Sequence, residues 1–118
     1  MAFRASHRFA RISPRKVRPL ADLIRGRFAD DALEILRYQP HRGARLLEKV
    51  LRSALGNAQD PDQSPGHTVR VDRLLVLDAR VDQGPMFKRI RPRARGMAFM
   101  IRKRMSHIHV TLEDINEI

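Results

Sequence analysis

One internal segment limits what this chain can fold into. Lys88 to Arg104, KRIRPRARGMAFMIRKR, is seventeen residues long and carries eight cations and no acid, with Ile, Met and Phe threaded between the charges. A soluble domain does not need such a segment to fold. Three readings compete for it. As an amphipathic helix it fails, because steps of about 100° scatter Lys88, Arg89, Arg91, Arg93, Arg102 and Arg104 around the whole circumference and leave no apolar face for a membrane. A disordered tail is internal here and flanked by strand-like sequence on both sides. Strand–turn–strand is orderly: Arg89, Arg91, Arg93 and Arg95 alternate along the first arm, and Gly96 can supply a positive φ near the turn. Pro92 is tolerable because both edges of a two-stranded ribbon face outward.

With a two-residue turn at Ala94-Arg95, Arg102 and Arg104 join Arg89, Arg91 and Arg93 on one face. Ile90, Pro92, Met97, Phe99 and Ile101 then share the other with Lys88 and Lys103. Arms of roughly ten residues reach some 30 Å at about 3.4 Å per residue. A domain of this size has a radius of gyration near 13 Å, so the hairpin must project. An isolated two-stranded hairpin is marginal in water and like charges repel across this one, so it makes sense only where an anionic partner orders it. Folded RNA offers phosphates for the cations and base faces for the apolar side chains.

The rest of the chain supplies the scaffold. FRASHRFARI places Phe3, Ala5, His7 and Phe9 in the period-2 pattern of a half-buried strand. SPRKVRPLADLIRG reads as a helix with Ser13 as N-cap, Pro14 at its first position, an apolar stripe of Val17, Leu20, Ala21 and Ile24, and Gly26 as its stop. Pro19 predicts an irregular first turn, with the regular helix starting near Val17. DDALEILRYQ is a short helix with Asp30 and Asp31 at its positive end, interrupted by Pro40. RGARLLEKVLRSALGNAQD is the strongest helix, with Ala44, Leu47, Val50, Leu51, Ala54, Leu55 and Ala58 on one stripe. Asp60 to Gly66 is a loop. TVRVDRLLVLDARVDQG is a long strand with Val69, Val71, Leu75, Leu77, Ala79 and Val81 alternating, bent or bulged at Gly84-Pro85. SHIHVTLEDI closes the chain as a strand pointing Ile108, Val110 and Leu112 inward. The expected fold is α+β, with three helices packed on a small antiparallel sheet and a long projecting β-hairpin. The 118 residues form one domain, its body 1–83 and 106–118 and its hairpin 84–105.

Charge is segregated along this plan. Residues 1–29 sum to +7, residues 30–82 to −1, residues 83–112 to +8 and the last six to −3, giving the net +11. A balanced middle builds the scaffold while two basic segments face a polyanion. The absence of Cys removes disulfide scaffolds and thiol chemistry. No apolar run approaches the length of a membrane span, and MAFRASHRF lacks a signal-peptide core, so a cytoplasmic protein is expected. His107 and His109 share a strand face without a third ligand, and no Ser/His/Asp order, phosphate-cradling Gly loop or metal spacing occurs, so neither enzyme nor cofactor is expected. Met86, Met97, Met100 and Met105 read as gap fillers along the arm.

Several runs resemble one family, bacterial-type large-subunit ribosomal protein twenty-two: RISPRKVR (11–18), ADLIRG (21–26), EKVLRSALGNA (48–58), VDQGP (81–85), KRIRPRARG (88–96) and IRKRMSHI (101–108). The resemblance implies a structural constituent of the large ribosomal subunit that binds large-subunit (23S-type) ribosomal RNA, acts in assembly, and sits beside neighbouring large-subunit proteins in the cytoplasm. It places the body near the exit of the nascent-peptide tunnel and the hairpin tip, Arg91, Pro92, Arg93, Ala94, Arg95 and Gly96, on the tunnel wall against the nascent polypeptide. The sequence departs from the family pattern at Met97, where a basic residue is usual, at Met105, where Thr is usual, and in the DPDQSPG loop.

The expected RNA-binding residues are Arg11, Arg15, Lys16 and Arg18 in the first basic segment, and Lys88, Arg89, Arg91, Arg93, Arg95, Arg102, Lys103 and Arg104 in the second. Arginine suits the task, because a guanidinium forks onto phosphate and stacks on bases. No self-oligomer and no membrane partner is expected. The competing functions are a DNA-binding regulator using a basic β-ribbon, which a major groove admits, and a membrane-active cationic protein.

Overall fold

The computed structural model describes residues 2–60 and 73–114, in the order β1 (Ala2–Ala10), α1 (Pro14–Ile24), α2 (Ala29–Tyr38), α3 (Arg42–Gln59), β2 (Leu74–Pro92) and β3 (Ala98–Asp114). The loop expected to follow Asp60 and the expected strand positions Val69 and Val71 lie outside the described residues. The sheet is antiparallel in the order β1-β3-β2, so the last strand in sequence is central. Three helices cover one face, which is the α+β arrangement the patterning predicts.

The core is the sum of the apolar stripes. Val17, Leu20, Ala21 and Ile24 of α1, Ala29, Ala32 and Leu36 of α2, and Ala44, Leu47, Leu51 and Ala54 of α3 are buried against Phe3, Ala79, Val81, Ile108, Val110 and Leu112 of the sheet. Gly43 allows α1 and α3 to approach: a Cβ there would meet Val17 Cγ2 at 3.2 Å and Leu20 Cδ1 at 3.3 Å, tighter than side chains tolerate. Past α1, Gly26 donates its N–H to the Val76 carbonyl (3.0 Å) and Val76 donates to that of Arg27 (2.8 Å), while Phe28 bridges Leu75. Residues 26–28 thereby cover part of the outer edge of β2.

Four local expectations are corrected. Helix α1 is regular from Pro14 and carries Pro19 inside it, with no irregular first turn. Pro19 and Arg15 are both exposed, so the Arg15 carbonyl that loses its partner meets water rather than core. In β1 the inward alternation holds through Phe3, Ala5 and His7 and fails at Phe9, which adopts φ 61°: the register shifts between His7 and Ala10, and Phe9 turns outward while Ala10 enters the core. The Phe9 N–H donates to His107 Nδ1 (3.0 Å) and its ring meets the His107 ring edge-on at 4.9 Å, contacts that hold the unusual backbone. In β2, Leu75 and Leu77 do not share the inner face with Ala79 and Val81. The register shift between Val76 and Asp78 leaves Leu77 as an extra residue, so Leu74 and Val76 face inward before it and Ala79 and Val81 after it. The fourth correction is the register of the hairpin. The expected bulge at Gly84-Pro85 is present, as the second register shift of β2.

Candidate nucleic-acid interface

Beyond Val81 and Met105, β2 and β3 continue without a third strand, and every residue from Pro85 to Met100 is exposed. The molecule measures 67 × 27 × 19 Å with a radius of gyration of 17.6 Å, well above the ~13 Å of a compact chain of this length. The ribbon closes on Ala94–Gly96, where Arg95 and Gly96 hold φ of 64° and 69° and the Arg93 N–H donates to the Met97 carbonyl (2.7 Å). Three residues, not two, therefore make the turn. The added residue is Gly96, and it moves every pair by one: Pro92 faces Ala98, Arg91 faces Phe99, Arg89 faces Ile101 and Lys88 faces Arg102.

The predicted division into an arginine face and an apolar face is thereby overturned. Residues directly opposite share a face, so Phe87, Arg89, Arg91 and Arg93 lie with Met97, Phe99, Ile101 and Lys103. The other face holds Met86, Lys88, Ile90 and Pro92 with Ala98, Met100, Arg102 and Arg104. Each face now mixes cations with apolar side chains. Arg89 lies over the Phe87 ring at 5.4 Å, a cation–π contact within one face. Phe87, Ile90, Met97, Phe99 and Met100 are all exposed.

A groove forms at the root of this ribbon. β1 leaves β3 after the Ala10–Ser106 pair, and the departing chain is pinned twice. Buried Ser106 donates its hydroxyl to the Ile12 carbonyl (2.6 Å), and Arg42 Nη1 donates to the Arg11 carbonyl (2.9 Å). The fixed segment 11–13 becomes one wall and the base of the ribbon the other. The cavity between them, about 850 Å³, is lined by seven cations, Arg11, Lys16, Arg42, Arg89, Arg102, Lys103 and Arg104, around Ile12, Phe87, Ile101 and Met105, with no carboxylate. The two basic segments that the sequence separates by some seventy residues meet here.

Placement of the predicted residues is uneven. Arg11, Lys16, Arg89, Arg102, Lys103 and Arg104 converge on the groove. Arg91, Arg93 and Arg95 lie further out on the exposed ribbon with Pro92, Ala94 and Gly96, and Lys88 is outside the groove although it shares a ribbon face with Arg102 and Arg104. Arg15 is exposed on α1, outside the groove. Arg18 donates its Nε to the Val81 carbonyl (3.2 Å) and so ties α1 to β2. Arg42 was missed, although a signal existed: α3 opens on an arginine and has no acid in its first turn, the reverse of what the helix dipole favours.

Other arginines serve the fold. Arg45 donates to the carbonyls of Leu36 (3.1 Å), Arg37 (2.9 Å) and Gln39 and so holds the end of α2. It also pairs with Glu48 at 2.9 Å, and Arg52 pairs with the same carboxylate at 2.7 Å. Arg25 joins Asp22 (2.8 Å) and the Ala79 carbonyl. On the helix-free side of the sheet His109 Nδ1 meets Ser6 Oγ at 2.8 Å and its Nε2 lies 3.3 Å from Asp82, so both strand histidines are occupied by sheet contacts. Among the described residues no cluster suits a metal ion, and no helix is long and apolar enough to cross a membrane.

Comparison with known proteins identifies the family. The family described as ribosomal protein L22p/L17e matches residues 5–113. The large ribosomal subunit protein uL22 of Rhodopirellula baltica is 64% identical over 116 residues, covering 98% of each chain. That of Caldicellulosiruptor saccharolyticus is 51% identical over 110 residues, covering 93% of this chain and 86% of its own. With this match spanning the body, the groove and the whole ribbon, the chain belongs to the ribosomal protein L22p/L17e family.

Proposed function

We propose that this protein is a structural constituent of the large ribosomal subunit, not an enzyme, and that it works in the cytoplasm by binding large-subunit ribosomal RNA. The observation that carries the RNA contact is the groove at the arm's root, where seven cations and no acid surround an apolar floor. In a free protein those like charges repel, and only a polyanion makes the cluster favourable. In this reading residues 1–83 and 106–118 form the body and residues 84–105 the penetrating arm. Arg11, Lys16, Arg42, Arg89, Arg102, Lys103 and Arg104 anchor it on phosphates. The outer arm carries Arg91, Pro92, Arg93, Ala94, Arg95 and Gly96 to the wall of the nascent-peptide tunnel, beside the emerging chain. Neighbouring large-subunit proteins are its remaining partners, and the ordered RNA contact supports subunit assembly.

The test is the salt dependence of binding between the full chain and large-subunit ribosomal RNA. Seven neutralised phosphates give a log–log slope of about −5 to −6. A flat response contradicts the electrostatic account.

A further inference from the structure

The groove has a feature that phosphate binding alone does not require. Its floor is apolar, and Phe87 stands in it 46% exposed, although the body has a core of its own that excludes it. A surface built only to neutralise phosphates gains nothing from an aromatic ring held in water. The ribbon's register places the ring: Phe87 pairs with Lys103, just above the bulge at Gly84-Pro85, and the Arg89 guanidinium lies over it at 5.4 Å. Cations border it from three parts of the chain, with Arg11 and Lys16 from the first basic segment, Arg42 from the start of α3, and Arg102 and Arg104 from β3.

We infer that the groove is a pocket for an unpaired RNA nucleotide, with its base stacked on Phe87 and its flanking phosphates held by the cations around it, Arg42 included. This deepens the RNA-binding reading and rests on it. Bases in an A-form duplex are stacked on one another and offer a protein mainly backbone and hydroxyls, whereas an unpaired base offers its face. An aromatic platform inside a positive cleft is the arrangement that binds single strands through stacking plus phosphate contact. The volume of about 850 Å³ lies in the range of small-molecule sites. The twofold pinning of residues 11–13 by Ser106 and Arg42 fixes one wall of the cleft before the ligand arrives.

The experiment compares the full chain and its variants on an oligouridylate and on an RNA duplex of equal length. Phe87→Leu is expected to weaken oligouridylate binding about tenfold, leave its salt slope unchanged, and leave duplex binding unchanged. Phe87→Tyr restores the affinity. Arg42→Gln weakens both RNAs and lowers the salt slope by about one. The chain has no tryptophan, so Phe87→Trp provides a single reporter whose emission is quenched by oligouridylate and not by inorganic polyphosphate, which has charge but no base. Equal loss on both RNAs with Phe87→Leu, no loss on either, or equal quenching by polyphosphate overturns the pocket while leaving RNA binding intact. Failure of the unaltered chain to bind either RNA overturns the RNA reading, and this one with it.

Discussion

Ser106 is fully buried in the strand that the whole fold is built around, and its hydroxyl has one task, to hold the Ile12 carbonyl at 2.6 Å. Replacing it with alanine leaves that carbonyl without its partner beside the core, so Ser106→Ala is expected to lower stability by about 1–3 kcal/mol. A shift of the urea midpoint measures this, and an unchanged midpoint contradicts the pinning role. Glu48 holds two guanidiniums, Arg45 and Arg52, with its own side chain only 10% exposed. Glu48→Ala should cost about 1–2 kcal/mol, below the value for a wholly buried pair because both arginines stay partly in water. RNA affinity at low salt should hold steady in that variant, since none of the three residues lines the groove. At this scale the sequence is least informative. Arg18 and Arg45 look like their RNA-facing neighbours, and only the carbonyls near them in space separate structural cations from binding ones.

Elements were legible where a periodic pattern met a buried surface. The stripes of α1 and α3 and the inward run Ile108, Val110, Leu112 needed no tertiary information, because burial enforces the period. The ribbon failed for the complementary reason. Both of its faces are open, so nothing in its own pattern penalises a one-residue slip, and the register is set at the turn by whether Gly96 belongs to it. The bulge at Leu77 is hidden in the same way, by a run of apolar residues in which either alternation looks acceptable. The tip and the root of the ribbon should also separate functionally. Deleting Arg91–Gly96 removes three cations from the outer arm and leaves all seven of the groove. On the proposed placement of the tip, the shortened protein should still join large subunits while chemical probing of the tunnel-wall RNA changes. Loss of incorporation would place the anchoring energy in the tip.

Across the whole molecule, which is 67 Å from end to end, the segregated charge of the sequence becomes a body with a basic arm, and the meeting of residues 11–16 with Arg89 and Arg102–Arg104 is what the linear order could not display. It depends on β1 leaving the sheet at Ala10, a bulge that the alternation of Phe3, Ala5 and His7 conceals. A two-stranded ribbon without a third partner is marginal in water. In the free protein, ribbon amides from Met86 to Arg104 are therefore expected to exchange rapidly, while those of α3 and of β3 from Ser106 onward are protected. On binding ribosomal RNA the ribbon amides should slow by at least about tenfold, and equal protection in both states would mean that the arm orders itself. The central claim is that this molecule is built to sit on large-subunit RNA, and sedimentation of the tagged chain from cells through a moderate-salt gradient tests it most directly. The account predicts that it travels with large subunits; recovery free at the top of the gradient, or on chromosomal DNA, would contradict it.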